Sequence, residues 1–395
     1  MNGVCINKKW NRITETIYIV MLTVFVFLYI IHTSVIQVDK LIPGARDVLF
    51  RILYIRLPLF VGVIYGLDFF VSKRYKEWKN MLAEAVVMAA FAMATLHTLR
   101  LFSICVFVIC ARFTTVKKIA WSAVMGIISA TLLIMALSVT PGMDWLIVDI
   151  LTYERMGRTA HALGFGHYAL WARQILWACI FYLFARGKKT SWGEIAVISA
   201  VFYGTFYLST QRLTFVVSIL VIAIFVLVVK CGIIKINNKL FRWASTISFT
   251  VSGVAMILAH WFYSPENAFL VKINKFLNTR LSVGSQAFEK YEIKLFGQRI
   301  VDTIEPYFYI DCGFMHILFE AGVVIYVITI VAFSYLMWRA CVKNDTTMFM
   351  CTVALLVYMM IDNAVLNLSC CGIVGLMVIP TIMEHLQEKR LQSKL

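Results

Sequence analysis

Charge is what this sequence has least of. Asp, Glu, Lys and Arg make up 15% of its residues, where soluble domains carry about a quarter. A soluble globular fold is therefore excluded. Acidic residues are the scarcer sign, 21 against 37 basic ones. Proline occurs six times, and no Pro- or Ser-rich linker marks off a soluble domain. The ten cysteines form no C-x-x-C pair, which argues against a zinc or thiol-redox site. No Walker loop, dinucleotide glycine pattern or H-E-x-x-H motif is present. No inverted repeat is evident, which weakens a transporter reading. No metal and no organic cofactor is expected.

Hydrophobic residues are what fill the chain. They account for 61% of it, and mean hydropathy is +0.82. Many stretches approach the ~20 apolar residues that cross a bilayer. Backbone polar groups must be paired inside lipid, and runs this long and uniform are helices rather than barrel strands. The expected fold is an all-α polytopic membrane protein, one transmembrane domain over 1–395, with the lipid bilayer as its solvent. Twelve spans are expected, near 14–35, 49–71, 81–97, 99–112, 119–140, 165–185, 193–209, 213–230, 243–262, 309–338, 346–367 and 369–384. The first run is too long for a signal peptide and lacks a small-residue cleavage site.

Lys and Arg set the orientation. Loops on one face hold 22 of them, and the opposite face holds 12. Both termini are then cytoplasmic, with 141–164 and 263–308 as extracytoplasmic loops. The net charge of +16 is accounted for mainly by the short inner loops, so nucleic acid is not an expected partner. The outer minority is the informative part. Arg155, Arg158, Arg212, Arg280 and Arg299 work against the topology rule and suit an anion site. Arg51, Arg56 and Arg173 fall within or beside spans, where a snorkelling or ion-paired role competes with a functional one. His32, His97, His161, His167, His260 and His316 map to the outer side, and only His385 to the inner. None has the spacing of a zinc ligand pair.

The stretch Tyr263–Glu320 is too long and too charged for a helix connector. It reads as lid and floor of a reaction site. Leu277, Leu281, Gly284, Phe288, Tyr291 and Leu295 share one face at helical spacing. Arg280, Gln286, Glu289 and Lys290 lie opposite, so an amphipathic surface helix is expected, with a packed helix lacking chemistry as the alternative. Asn278 is a candidate N-cap. Arg280 just after it adds a guanidinium to the positive helix end, an arrangement suited to phosphate.

Five blocks, running from about Arg155 to Gly375, resemble the superfamily of Wzy-type polysaccharide polymerases and O-antigen ligases. They are Arg158 with LGFGH (Leu163–His167), STQR (Ser209–Arg212), FLNTRLSVG (Phe276–Gly284) with KLFG (Lys294–Gly297), DCGFMHILFEAG (Asp311–Gly322) and DNAVLNL (Asp362–Leu368). The chain departs from the family pattern at Tyr168, Ala169, Cys312 and Phe314.

The resemblance implies a GT-C-like glycosyltransferase of a bacterial cytoplasmic (inner) membrane. It would join oligosaccharide repeats carried on polyprenyl diphosphate into a capsule, exopolysaccharide or O-antigen type of chain. A flippase and a chain-length regulator would be its protein partners. A diphosphate leaving group needs fixed positive charge, which arginine forks supply. Arg158, Arg212 and Arg280 are the expected diphosphate contacts, and Asp311 and His316 the catalytic candidates. Glu320, one turn beyond His316, reads as structural. His167, Arg155, Asn278, Asp362 and Asn363 are candidate sugar contacts. A ligase uses the same logic, and a transporter or flippase of lipid-linked sugars and a scaffold are the readings from other classes.

Overall fold

The computed structural model describes residues 2–72, 78–95, 99–143, 145–146, 152–155, 158–277, 279–301 and 308–393. Its helices are α1 (Asn2–Thr33), α2 (Ala45–Val71), α3 (Trp78–Thr95), α4 (Leu99–Cys110), α5 (Val116–Val139), α6 (Tyr168–Arg186), α7 (Trp192–Ser209) and α8 (Arg212–Lys230). There follow α9 (Lys239–Trp261), α10 (Ala268–Phe276), α11 (Arg280–Lys290), α12 (Gly313–Lys343), α13 (Thr346–Ile361) and α14 (Val378–Gln392).

Among the described residues seven helices, α1, α2, α5, α6, α8, α9 and α12, are long and apolar enough to cross a membrane. The protein is thus a polytopic helical membrane protein. The other expected spans fall on helices that are shorter or less apolar, such as α13 with its 16 residues. One departure from the all-helical expectation lies in the 141–164 loop. Strands β1 (Thr152–Arg155) and β2 (Arg158–His161) form an antiparallel hairpin there, with Arg155 opposite Arg158.

The chain forms two compact units. Unit one is Met1–Trp78, Val106–Ile234 and Leu368–Leu395, and unit two is Lys79–Cys105 and Lys235–Asn367. In unit one, α5 lies against α1 and α6. A Cβ at Gly126 would stand 2.8 Å from Val26 Cβ, so glycine sets the closeness of α1 and α5. Tyr18 and Gln174 bring polar groups into this interior. The Tyr18 hydroxyl donates to the Phe107 carbonyl (2.9 Å), and the Gln174 amide to Ser369 Oγ (3.1 Å).

In unit two, α9 runs along α12, with Phe249 against Phe333. The Asp345 carboxylate caps α13, accepting from the Thr347 and Met348 amides. Two residues at the entrance to α12 are core here. Cys312 is 3% exposed and Phe314 fully buried, so their apolar character serves packing.

The long polar stretch holds two helices rather than one. Asn267 Oδ1 accepts from the Phe269 and Leu270 amides (3.1 and 3.2 Å) and so starts α10. Next, α11 is preceded by Thr279 in the left-handed conformation (φ 66°). The expected apolar stripe is correct only within α11. Leu281 and Gly284 are buried there, whereas Leu295 lies beyond the helix and is 63% exposed. Instead of floating on the surface, α11 packs on α9, with Phe288 edge-on to Trp261. Gly284 permits the closest approach, because a Cβ there would be 2.5 Å from Cδ2 of the buried His260.

Residues 294–298 cross α12 as a strap. The first part of α12 widens into a π turn over Ile317–Ala321, and the helix is then interrupted at Gly322 (φ +88°). The interruption frees amides and carbonyls that lipid cannot satisfy. The strap takes them up. The Val323 amide donates to Lys294 O (3.1 Å), the Val324 amide to Leu295 O (3.1 Å) and the Gln298 amide to Glu320 O (3.2 Å). The approach needs two glycines. A Cβ at Gly297 would be 2.0 Å from Glu320 O, and one at Gly322 would be 2.2 Å from Gly297 N.

Candidate functional site

Unit two gathers five of the expected residues around the entrance to α12. Arg280 opens α11, and its Nε lies 2.7 Å from Asp311 Oδ2; the two side chains are 21% and 20% exposed. Among the described residues no other hydrogen bond or ion pair engages Arg280. The two terminal nitrogens of its fork are left to bind oxygen acceptors. Asn274 holds the turn that aims this side chain. Its carbonyl oxygens accept from the Ser282 and Thr279 amides (3.1 and 2.8 Å), and its Nδ2 donates to the Tyr263 hydroxyl (3.0 Å).

Asp311 sits just before the helix. Burial raises its carboxyl to about 6, the Arg280 charge opposes the rise and the Asp362 charge adds to it; a hydrogen bond with Tyr309 also favours the ionised form. A group near 6 is mostly ionised at neutral pH, the state that can accept a proton, and lies near the operating pH that suits a general base.

Asp362 and Asn363 close the site from the end of α13. Asp362 Oδ1 accepts from the Ala364 amide (2.9 Å), and Asn363 Nδ2 donates to the Ile310 carbonyl (3.0 Å). That second bond ties the turn after α13 to the segment that carries Asp311. Gly313 lets the two elements meet, since a Cβ there would be 2.9 Å from Asp362 O.

His316 lies within the first turn of α12 and takes a different partner. Its Nε2 is 2.5 Å from Glu320 Oε2, with both side chains about nine-tenths buried. The expected candidates Asp311 and His316 are therefore paired separately, one with Arg280 and one with Glu320. The Glu320 backbone carbonyl also anchors the strap, accepting from the Gln298 amide.

Arg155, Arg158, Arg212 and His167 lie in unit one. Arg155 and Arg158 end and begin the two strands of the hairpin in unit one, and Arg212 is an exposed residue at the start of α8. His167 caps α6 in unit one, its Nδ1 accepting from the Ala169 amide (3.2 Å). That contact gives it a structural role at the helix start. Asn278 lies outside the described residues, and Thr279 occupies the cap position expected of it. Among the described residues no group of three His, Cys, Asp or Glu side chains could hold a metal.

Sequence reasoning missed two residues. Tyr309 stands two places before Asp311, a spacing with no signature. Asn274 sits on the polar side of a helix that was not anticipated. Compared with known protein families, with characterised proteins and with solved structures, the chain matches none.

Proposed function

We propose that this protein is a membrane glycosyltransferase that polymerises oligosaccharide repeats carried on polyprenyl diphosphate, working on the outer face of a bacterial cytoplasmic membrane. The reading includes twelve crossings in a GT-C-like arrangement with both termini inside. The observation that carries it is the half-engaged Arg280. One nitrogen is fixed by Asp311, and the two terminal ones present a planar fork suited to phosphate oxygens. In this reading Arg280 stabilises the diphosphate as it leaves. Asp311 accepts the proton of the attacking sugar hydroxyl. His316, held by Glu320, supplies an orienting hydrogen bond, and Asp362 and Asn363 contact sugar hydroxyls. Binding of phosphate to the fork would weaken its hold on Asp311 and leave that carboxylate freer to act.

The interruption of α12 gives the transporter reading its one point of support, since broken helices bind substrates in transporters through free helix ends. Here the Val323 and Val324 amides are already taken by strap carbonyls, which favours the transferase.

The test is direct. Purified protein in nanodiscs, given a polyprenyl-diphosphate-linked repeat unit, should release polyprenyl diphosphate and build a ladder of longer chains. Release only on adding a separate lipid acceptor, with no ladder, would make it a ligase. Passage across a vesicle membrane with every glycosidic bond intact would make it a transporter.

A further inference from the structure

Three aromatic side chains stand exposed where α9 ends and α10 begins. Trp261 is 58% exposed, Phe262 65% and Phe269, in the first turn of α10, 69%. The helix α9 is long and apolar enough to cross a membrane, so its end stands near the boundary between lipid and water. The short helix α10 is held at that end. Asn274, in the second half of α10, is buried, and its Nδ2 donates to the hydroxyl of Tyr263, two places beyond α9 (3.0 Å). Phe269 lies on the side of α10 away from Asn274, and Ile273 shares that side at i to i+4. A nine-residue helix is marginal in water on its own, so a face of this kind needs cover.

The charges say what covers it. Lys272 and Lys275 are exposed, and among the described residues neither ammonium has a hydrogen bond or an ion pair. Within α10 there is no acidic residue, and Glu266 precedes the helix. Exposed rings beside unpaired lysines on a short helix suit an interfacial position, with the rings at the acyl boundary and the ammoniums among headgroup phosphates. The lipid-facing side of α9 leads directly into this surface through Trp261 and Phe262. We infer that α10 is an interfacial anchor. Its Phe269–Ile273 side docks, with Trp261 and Phe262, into the leaflet at the C-terminal end of α9, and Lys272 and Lys275 bind the phosphates of anionic lipids there. Asn274 also holds the turn that carries Arg280, its Oδ1 accepting from the Ser282 amide (3.1 Å). Lipid contact at α10 therefore helps to set where Arg280 stands. The docking does not depend on the transferase reading.

The experiment uses full-length, cysteine-free protein in nanodiscs. Phe269→Cys carries a bimane, an apolar ring in place of the phenyl. Glu289→Cys, on the exposed side of α11, carries the same label as the water-facing reference. Lipid with a shallow spin label should quench the bimane at 269 several-fold more than that at 289, and aqueous iodide several-fold less. Iodide quenching equal to that at 289 would overturn the anchor. So would protection from both quenchers, which would mean that protein, such as a second copy of the chain, covers the face. Hydrogen exchange tests the charge. Peptides covering 268–276 should exchange several-fold more slowly in phosphatidylglycerol than in phosphatidylcholine discs, and the double variant Lys272→Gln/Lys275→Gln should lose the difference while peptides from α5 and α6 stay unchanged. Equal exchange of the unaltered protein in the two lipids would overturn the assignment to anionic lipid, as would a difference that the double variant keeps.

Discussion

Replacing Gly297 by alanine attacks the contact that closes α12. The new Cβ would stand 2.0 Å from Glu320 O and 2.7 Å from the carbonyl carbons of Glu320 and Ala321. Backbone cannot give way as a side-chain tip can, so the strap must retreat by about 1 Å or more to restore ordinary contact. The three strap hydrogen bonds measure 3.1, 3.1 and 3.2 Å, and a retreat of that size breaks them. Each is worth roughly 0.5–1.5 kcal/mol net. Holding alanine at φ +77° adds about 1–2 kcal/mol. The loss is therefore about 3–6 kcal/mol of local stability, or on the order of 100-fold or more in local opening. Hydrogen exchange read by mass spectrometry in nanodiscs will show it. Peptides covering 294–298 and 320–324 should exchange faster, while those from α5 and α6 should not change. Gly204→Ala is the control, because a Cβ there meets nothing within 4 Å. Unchanged exchange at the strap in Gly297→Ala would refute the argument that backbone proximity demands glycine.

Other expectations follow from the same structure. In a cysteine-free background, single cysteines at Lys272 and Ser285 should react with an impermeant thiol reagent on spheroplasts, and one at Asn344 should not; labelling at 344 alone inverts the topology. The Asp311 carboxyl, raised to about 6, should make the transfer rate fall as pH drops through about 6, and Asp311→Asn should abolish transfer at every pH. The same shift makes the folded state bind more protons than the unfolded one between about pH 4 and 6. Stability should therefore decline as pH rises through that window, a slope that melting curves of Asp311→Asn should lose. Chain growth in purified membranes should survive EDTA, because the proposed charge stabilisation comes from arginine; loss with recovery on added magnesium would count against it. Arg158→Lys and Arg212→Lys test by activity alone whether the arginines of unit one are needed.

Much of the fold was legible because hydrophobic length is a strong signal. The seven long helices all lie where apolar runs placed them. The two-helix structure of 263–308 was not legible, since the Asn267 cap resembles any polar loop residue and the stripe continued by chance to Leu295. The glycines of KLFG and EAG were visible in sequence, but their meaning was not. They mark one contact between segments some 25 residues apart, and only the chain's path brings Gly297 against Gly322. The site shows the same division. Arg280 and Asp311 stood out as charges in apolar or outer surroundings, but their pairing depends on how α11 packs on α9. His316 pairs with Glu320 at helical spacing, i to i+4, a relation that sequence can suggest. Nothing in the spacing separated His316 from Asp311 as differently partnered groups. His167 was placed among sugar contacts on motif alone, and its cap on α6 is a local role that the same position also permits.

The central claim is that Arg280 acts as a two-point phosphate fork rather than as a topological charge. The measurement is the rate of chain growth from a polyprenyl-diphosphate-linked repeat by Arg280→Lys, with Arg299→Lys and Arg46→Lys as controls. Lysine keeps the charge and loses the planar fork. The account predicts normal protein level and membrane insertion, single lipid-linked repeats accumulating, and a rate lowered by ~100–1000-fold, as for loss of a well-placed transition-state donor. The two controls, both exposed arginines, should run at normal rates. Full-length polymer made by Arg280→Lys at the normal rate would contradict the claim.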